Sequence, residues 1–544
     1  MPTLSITSPR PTTWSGTSAR TLSLSWSRAN VVILVCATMV AATVRIGGLA
    51  AYGFSADEIN KVRAIEQYRA GRFGANAEHP MLMKLAMLGS VELSETWNRI
   101  APVDAAVPLE TAVRLPNAVA GALTTAVLFG VADLLFGGTV AAAVAMIWAF
   151  DVNAIAINRI GKEDTFLLLF FLTAVYCYER AKQLGKTGSE STQRWYTLSG
   201  AAFGLMLASK YMPHLIGVYA LFNLLTDTEP GDNRPDRVRH CGAMAATFVA
   251  ANVTILLPST WRYFVSYVAG DMLQHHGYLY AGALYVTNVP ISPLGVPATF
   301  YLRLLVTKVP IVVLAALVAG AIELVRRRHE RGFVLLRVLA VFVIVPYSLM
   351  AAKFLRYSLP MVATVDLIAA VGLVSGIEWL LRKGWLSPLT RAAAAAATAA
   401  IFAAGIVLAQ QTAAPYYSLF RNAIGERVNA RPTAFPEETY DYGVREAADR
   451  IAAVAAPSAA IVSDADGVVA HYLREQRRSD IAVESLSAHG FDARGRDTWV
   501  IVQDEHLTFE NQQLVAQLRA RQAPWREIRI DGRTAAQVFH VEAR

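Results

Sequence analysis

The sequence predicts a polytopic α-helical membrane protein with a small α/β domain at its C-terminal end. Three observations predict it. Of the 544 residues, 54% are hydrophobic and only 17% are charged, against roughly 25% charged in soluble domains. Apolar runs of about twenty residues, long enough to cross a bilayer, recur from Val31 to Gln411. Beyond Gln411 the chain turns polar, and short β-branched runs alternate with helical patterns, the signature of an α/β unit.

In chain order, residues 1–30 are rich in Ser, Thr and Arg and contain no acid. They read as a cytoplasmic tail before an uncleaved first span. About eleven spans follow from the apolar runs: Val31–Ala51, Ala112–Phe136, Val140–Ile157, Thr165–Ala181, Tyr196–Lys210, Met212–Leu225, Cys241–Trp261, Phe300–Val325, Phe333–Ala352, Leu359–Leu381 and Ala392–Gln411. The membrane domain is thus 31–411, with a long polar loop at 52–111. Within the first span, Arg45 sits near the outer end, where it can snorkel.

The net charge is +8, yet the basic residues are dispersed in short clusters: Arg180-Ala181-Lys182, Arg234 to Arg239, Arg326-Arg327-Arg328 and Arg382-Lys383. With a cytoplasmic N-terminus every cluster falls on the cytoplasmic side, which is positive-inside topology rather than a nucleic-acid surface. The 52–111 loop and the segments Asn158–Asp164, Ser209–Pro213, Tyr263–Pro297 and Lys353–Pro360 then share the opposite face. Cys36, Cys177 and Cys241 all lie in apolar segments, so no disulfide framework is expected. Residues 412–544 form the α/β domain on that outer face, with strands expected at Ala460–Ser463, Ile481–Glu484, Thr498–Val502, Trp525–Ile530 and Ala536–Val541.

The polar residues of the outer face carry the chemistry. Asp57-Glu58 stands just outside the first span, where a partly desolvated carboxylate can act as a general base; two acids also suit a helix start and its dipole. Asp164 enters the fourth span and is a good N-cap, a role compatible with catalysis. Beside it, Arg159 and Lys162 fit either a phosphate or lipid headgroups. A Lys inside an apolar run is costly unless it faces a cavity or an anion, which singles out Lys210, Lys308 and Lys353, with Arg356. Lys308 is expected roughly 15 Å inside its span from the helical rise. These cations can cradle a phosphate, Arg as a fork and Lys as a point charge. Asp366 is expected to pair with one of them or with a neighbouring helix. Adjacent His275-His276 are a poor metal signal without well-spaced partners. Nothing in the sequence demands a metal, and a divalent ion is left as an option that the sequence does not indicate.

Taken together and in order, the motifs D-E (57–58), H-P-M-L-M-K-L (79–85), R-L-P-N-A-V-A-G-A-L (114–123), R-I-G-K-E-D-T (159–165), L-A-S-K-Y (207–211), Q-H-H-G-Y-L-Y-A-G (274–282), F-Y-L-R-L-L-V-T-K-V-P (300–310) and F-L-R-Y-S-L-P (354–360) resemble the protein O-mannosyltransferase superfamily, which includes bacterial aminoarabinose transferases. The resemblance implies a C-type glycosyltransferase fold and a polyprenyl-phosphate sugar donor. It implies that Asp57 activates the acceptor with Glu58 assisting, that Asp164 is a second acid, and that Lys210 and Arg356 lie near the lipid phosphate. His79, Lys84, His276, Tyr278 and Tyr357 in these motifs are substrate-binding candidates. The family often has H-P-P where this chain has Met81, and the β-trefoil insertion of the yeast enzymes is absent.

The expected activity is inverting sugar transfer to an acceptor hydroxyl on a protein, glycolipid or polysaccharide, at the outer face of the cell membrane. A lipid-linked-sugar transporter or flippase is the rival, as is a non-catalytic glycan-binding receptor. The sequence identifies neither sugar nor acceptor.

Overall fold

The computed structural model describes residues 28–186, 189, 191–226, 234–269, 277–286, 295–428, 435–491 and 495–542. Most of the N-terminal tail, and His275 and His276, therefore lie outside the described residues. The N-terminal part is helical: α1 Arg28–Ile46, α2 Ala56–Arg69, α3 Leu82–Asn98, α4 Leu109–Phe136, α5 Gly138–Phe150, α6 Val152–Asn158, α7 Asp164–Gly185, α8 Thr192–Ser209, α9 His214–Thr226, α10 Arg234–Ala251 and α11 Pro258–Ala269. A hairpin of β1 Tyr278–Tyr280 and β2 Ala283–Tyr285 precedes α12 Phe300–Lys308, α13 Ile311–Arg326, α14 Arg331–Leu349, α15 Leu359–Leu381 and α16 Pro388–Ala413.

Five helical stretches among the described residues are long and apolar enough to cross a membrane: Arg28–Ile46, Val103–Phe136, Arg331–Leu349, Leu355–Leu381 and Pro388–Ala413. A sixth is the pair α5 and α6, bent by 60°. The expected count of eleven is not reproduced, and three of the expected continuous spans are broken for local reasons. Asp151 ends α5 and caps α6 by accepting the Ala154 N–H at 2.6 Å. Between α10 and α11 stands a short 3-10 turn, and Pro258 opens α11. Pro310 supplies no backbone donor and separates α12 from α13. The adjacent expected spans 196–210 and 212–225 are two helices, α8 and α9.

Close helix packing rests on small residues. A Cβ on Gly320 of α13 would fall 2.0 Å from the Ile368 carbonyl oxygen, and one on Gly372 of α15 would fall 2.0 Å from that of Ala316. Only glycine allows these two backbones to meet.

After α17 Ala423–Val428, the polar region folds as α18 Val444–Val454, β3 Ala460–Val462, α19 Asp466–Glu475, β4 Ala482–Glu484, α20 Leu486–His489, β5 Thr498–Val502, α21 Gln512–Arg521, β6 Arg526–Ile530 and β7 Arg533–Val541. The sheet order is β4-β3-β5-β7-β6, with β4, β3 and β5 parallel and β7 antiparallel to both neighbours. Helix α18 buries Val444, Ala447, Ala448, Ile451 and Ala452 at helical spacing. They join Ile461, Trp499, Ile501 and Val538 of the sheet in one apolar cluster with Phe54, Ile59, Val62, Met83, Met87 and Val113. The α/β unit thus shares its core with α2, α3 and α4.

Candidate active site

The site is organised around the first turn of α2. Ser55 is its N-cap and forms a reciprocal capping box with Glu58. Glu58 does more than cap. Its carboxylate takes a bidentate pair from Arg114, Nε to Oε1 at 2.8 Å and Nη2 to Oε2 at 2.7 Å, and accepts the Gly161 N–H at 2.9 Å. Arg114 also donates to the carbonyls of Leu49, Tyr52 and Gly53 at 2.7–2.9 Å. Both side chains are fully buried. Both Glu58 oxygens are therefore engaged within the protein, and the carboxylate faces Arg114 rather than the side on which Asp57 lies. Arg114 opens the R-L-P-N motif, but nothing in the sequence names its partner.

With Glu58 fixed inward, the neighbouring Asp57 points to a different side of the helix. Its side chain keeps 41% of its exposure while Oδ2 lies 2.5 Å from Lys162 Nζ and 3.6 Å from Arg356 Nη1. The protein around Asp57 would by itself raise its pKa, but the Lys162 and Arg356 charges outweigh that and hold the carboxyl well below the usual range. The carboxylate is ionised at any physiological pH.

Arg356 packs over the rings of Phe354 and Tyr357 at 4.4 and 5.2 Å and pairs with Glu437. The Lys210 ammonium also sits over Tyr357, 4.4 Å from the ring centroid, and bonds Asp164 Oδ1 at 2.7 Å. The second Asp164 oxygen is buried without a hydrogen-bond partner among the described residues. Asp164 is the first residue of α7 and does not cap it; Glu163 occupies the cap position, without a side-chain bond. Asp57, Lys162, Arg356, Tyr357, Lys210 and Asp164 thus form one continuous cluster of two carboxylates and three cations. Beside Arg356 opens a small pocket, with Ala156, Ile157, Ile160, Leu304 and Leu355 as apolar wall and Lys308, Glu437, Tyr440 and Ser418 as polar wall.

A second buried pair supports the first, Lys61 to Glu163 at 2.7 Å. His79 Nδ1 lies 3.5 Å from the same carboxylate. Burial, with Lys61 and Lys162 close by, outweighs Glu163 and draws the His79 pKa well below 6.5, so the imidazole is neutral. Tyr278 stands at the rim, its ring 4.9 Å from Phe354.

Four further expected ligand-binding cations make contacts within the protein. Arg159 donates to the carbonyls of Val44, Arg45, Gly47 and Gly48 at 2.5–3.1 Å, closing the exposed carbonyl end of α1. Lys84 bonds the carbonyls of Asn76 and His79; burial and Lys61 bring its pKa down to about 7. Lys353 bonds the carbonyls of Val296 and Met350, and burial lowers it to about 8. Lys308 ends α12 rather than lying deep in a long span; it pairs with Glu438 at 2.9 Å and with the Ser418 and Phe420 carbonyls. Asp366 is buried, and both its oxygens lack a hydrogen-bond partner among the described residues, so the expected pairing does not form.

One His/carboxylate group, Asp441, Glu505 and His506, brings its ligand atoms within 4.8 Å of one another. Its atoms are already engaged. Glu505 accepts the Asp441 and Thr439 N–H groups at 2.6 and 3.2 Å, His506 pairs with Asp441 Oδ1, and Asp441 Oδ2 accepts the Ala56 N–H at 2.6 Å. It reads as an ion-pair network rather than a metal centre.

Residues 106–256 match the profile of the dolichyl-phosphate-mannose-protein mannosyltransferase family. No curated protein sequence matches the chain. Among solved structures, ArnT from Cupriavidus metallidurans in the apo state is similar at 15% identity and TM-score 0.52, over 93% of this chain and 97% of that one. The same protein bound to undecaprenyl phosphate is similar at 16% identity and TM-score 0.50, over 94% and 98%. The apo Archaeoglobus fulgidus oligosaccharyltransferase follows at 11% identity and TM-score 0.51, over 87% of this chain and 69% of that one. The chain therefore shares its fold with these structures, and its resemblance to the protein O-mannosyltransferase superfamily is carried by the matched segment 106–256.

Proposed function

We propose that this protein is a multi-pass membrane glycosyltransferase that moves a sugar from a polyprenyl-phosphate carrier to an acceptor hydroxyl on the extracytoplasmic face, with inversion. The observation that carries the reading is the placement of Asp57: an ionised, half-exposed carboxylate between Lys162 and Arg356, next to the Lys210–Asp164 pair. The undecaprenyl phosphate bound by the similar ArnT structure supports the donor class.

The acceptor oxygen attacks the anomeric carbon as Asp57 takes its proton. The bond from that carbon to the phosphate oxygen breaks, and its electron pair leaves on the polyprenyl phosphate. Arg356, with Lys210 against the same Tyr357 ring, stabilises the charge that develops there. In the ground state Asp57 is a weak base, because the same cations hold it ionised. A bound phosphate shares those cations, which relaxes the hold and makes the carboxylate more basic when the acceptor is in place. Glu437 now pairs with Arg356, so the phosphate must displace it.

The test is release of polyprenyl phosphate by the purified full chain, supplied with a panel of polyprenyl-phosphate sugars and a membrane extract as acceptor. Turnover of one donor, lost in Arg356→Ala, is expected. Transport of the intact donor without release would sink the reading in favour of a flippase.

A further inference from the structure

The linker 47–55 and the first turn of α2 deliver Asp57, and they are held from two sides. From the helical side come Arg114 and the α2 capping box. From the other side comes the C-terminal α/β unit, whose contacts are backbone-directed and specific. Arg445 donates to the Ala50 and Ala51 carbonyls, both at 3.0 Å. The Tyr472 hydroxyl accepts the Phe54 N–H at 2.7 Å and donates to Glu110 at 3.0 Å. Asp441 Oδ2 accepts the Ala56 N–H at 2.6 Å across 385 residues of sequence.

The last contact falls at a place of leverage. Ala56 is the first residue of α2, its N–H is one of the unpaired amides of a helix start, and Asp57 follows it directly. A carboxylate there also suits the helix dipole. Asp441 is in turn fixed by Glu505, which accepts its N–H, and by His506, which pairs with Oδ1. Its own backbone has φ 62°, and Glu437 and Tyr440 in the same strap have φ 63° and 48°. Non-glycine residues in this region carry local strain that the surroundings must offset. Here that strained strap sets Glu437 on Arg356 and Asp441 on α2.

We propose that Asp441 is a positioning residue for the transfer reaction, and that the C-terminal α/β unit serves as the clamp that sets the angle at which α2 presents Asp57. This rests on the reading of Asp57 as base, so its test includes a measurement that needs no turnover. Amide hydrogen exchange and steady-state transfer are followed in the full chain as wild type, Asp441→Ala and Asp441→Asn; the asparagine keeps an oxygen that can accept the Ala56 N–H. With Asp441→Ala, exchange in the first turn of α2 rises about tenfold while β5 stays protected. In the same variant kcat falls about 10- to 100-fold, the scale of a misplaced catalytic group, at unchanged donor KM, and Asp441→Asn restores most of both. Unchanged α2 protection and kcat in Asp441→Ala would overturn the proposal, as would a rise in KM at constant kcat. Loss of protection through β3 and β5 together with α2 would make Asp441 a stability residue and overturn it too. If the wild type transfers no sugar, the functional reading fails, and the exchange result alone decides the clamp.

Discussion

Glu58 and Asp57 are adjacent in sequence and opposite in environment. Glu58 has each oxygen matched to Arg114 and a backbone N–H in a dry interior, whereas Asp57 keeps an open side toward the cations. Removing one partner of a buried pair leaves the other charge uncompensated. Glu58→Gln is therefore expected to cost about 3–5 kcal/mol, read as a large fall in Tm of the purified protein. A Tm within a degree or two of wild type would show that Arg114 is satisfied by its three carbonyls alone. At Glu437 the sign reverses. Glu437→Gln removes the anion that competes for Arg356, so polyprenyl phosphate should bind several-fold tighter in a direct titration; unchanged or weaker binding would contradict that competition. His506 gives a pH signature. Burial lowers its pKa, but the facing carboxylates Asp441, Glu505 and Asp464 overcome this and raise it from 6.5 to about 9. A raised histidine adds stability in full below 6.5, and that stability is lost as pH rises through about 9. Tm should fall across that upper interval in wild type and change little there in His506→Gln.

At the scale of elements, glycines and prolines decide how the helices meet and where they break. Gly320 and Gly372 let α13 and α15 touch backbone to backbone, so Gly372→Val should abolish the close approach and lower the yield of folded protein from membranes. Recovery equal to wild type would mean that the two helices separate without penalty. The apolar runs made the helices legible in sequence, because charged residues interrupt them rarely. The breaks at Asp151, Pro258 and Pro310 were visible residues, but a rule of about twenty apolar residues per span runs through them. Asp57, Asp164, Lys162, Lys210 and Arg356 stood out because polar groups are conspicuous against an apolar background. Arg159, Lys84 and Lys353 stood out equally and bond backbone carbonyls, contacts that composition does not reveal. Glu437, Glu438 and Asp441 were not legible. They lie in a polar region where acids are ordinary, and their partners are tens to hundreds of residues away.

For the molecule as a whole, one apolar cluster joins the α/β unit to α2, α3 and α4, and its strap reaches the cation cluster through Glu437, Lys308 through Glu438 and the start of α2 through Asp441. The C-terminal unit is thereby part of the site rather than an appended module, and the transfer reading requires both parts to act together. The most direct measurement is single-turnover sugar transfer from a polyprenyl-phosphate donor by wild type, Asp57→Asn and Asp164→Asn, with donor binding measured on the same samples. The account predicts that Asp57→Asn binds donor and slows transfer by about 10²- to 10⁴-fold, the usual contribution of a general base. Transfer by Asp57→Asn at the wild-type rate would contradict it, and loss confined to Asp164→Asn would move the base to the partner of Lys210.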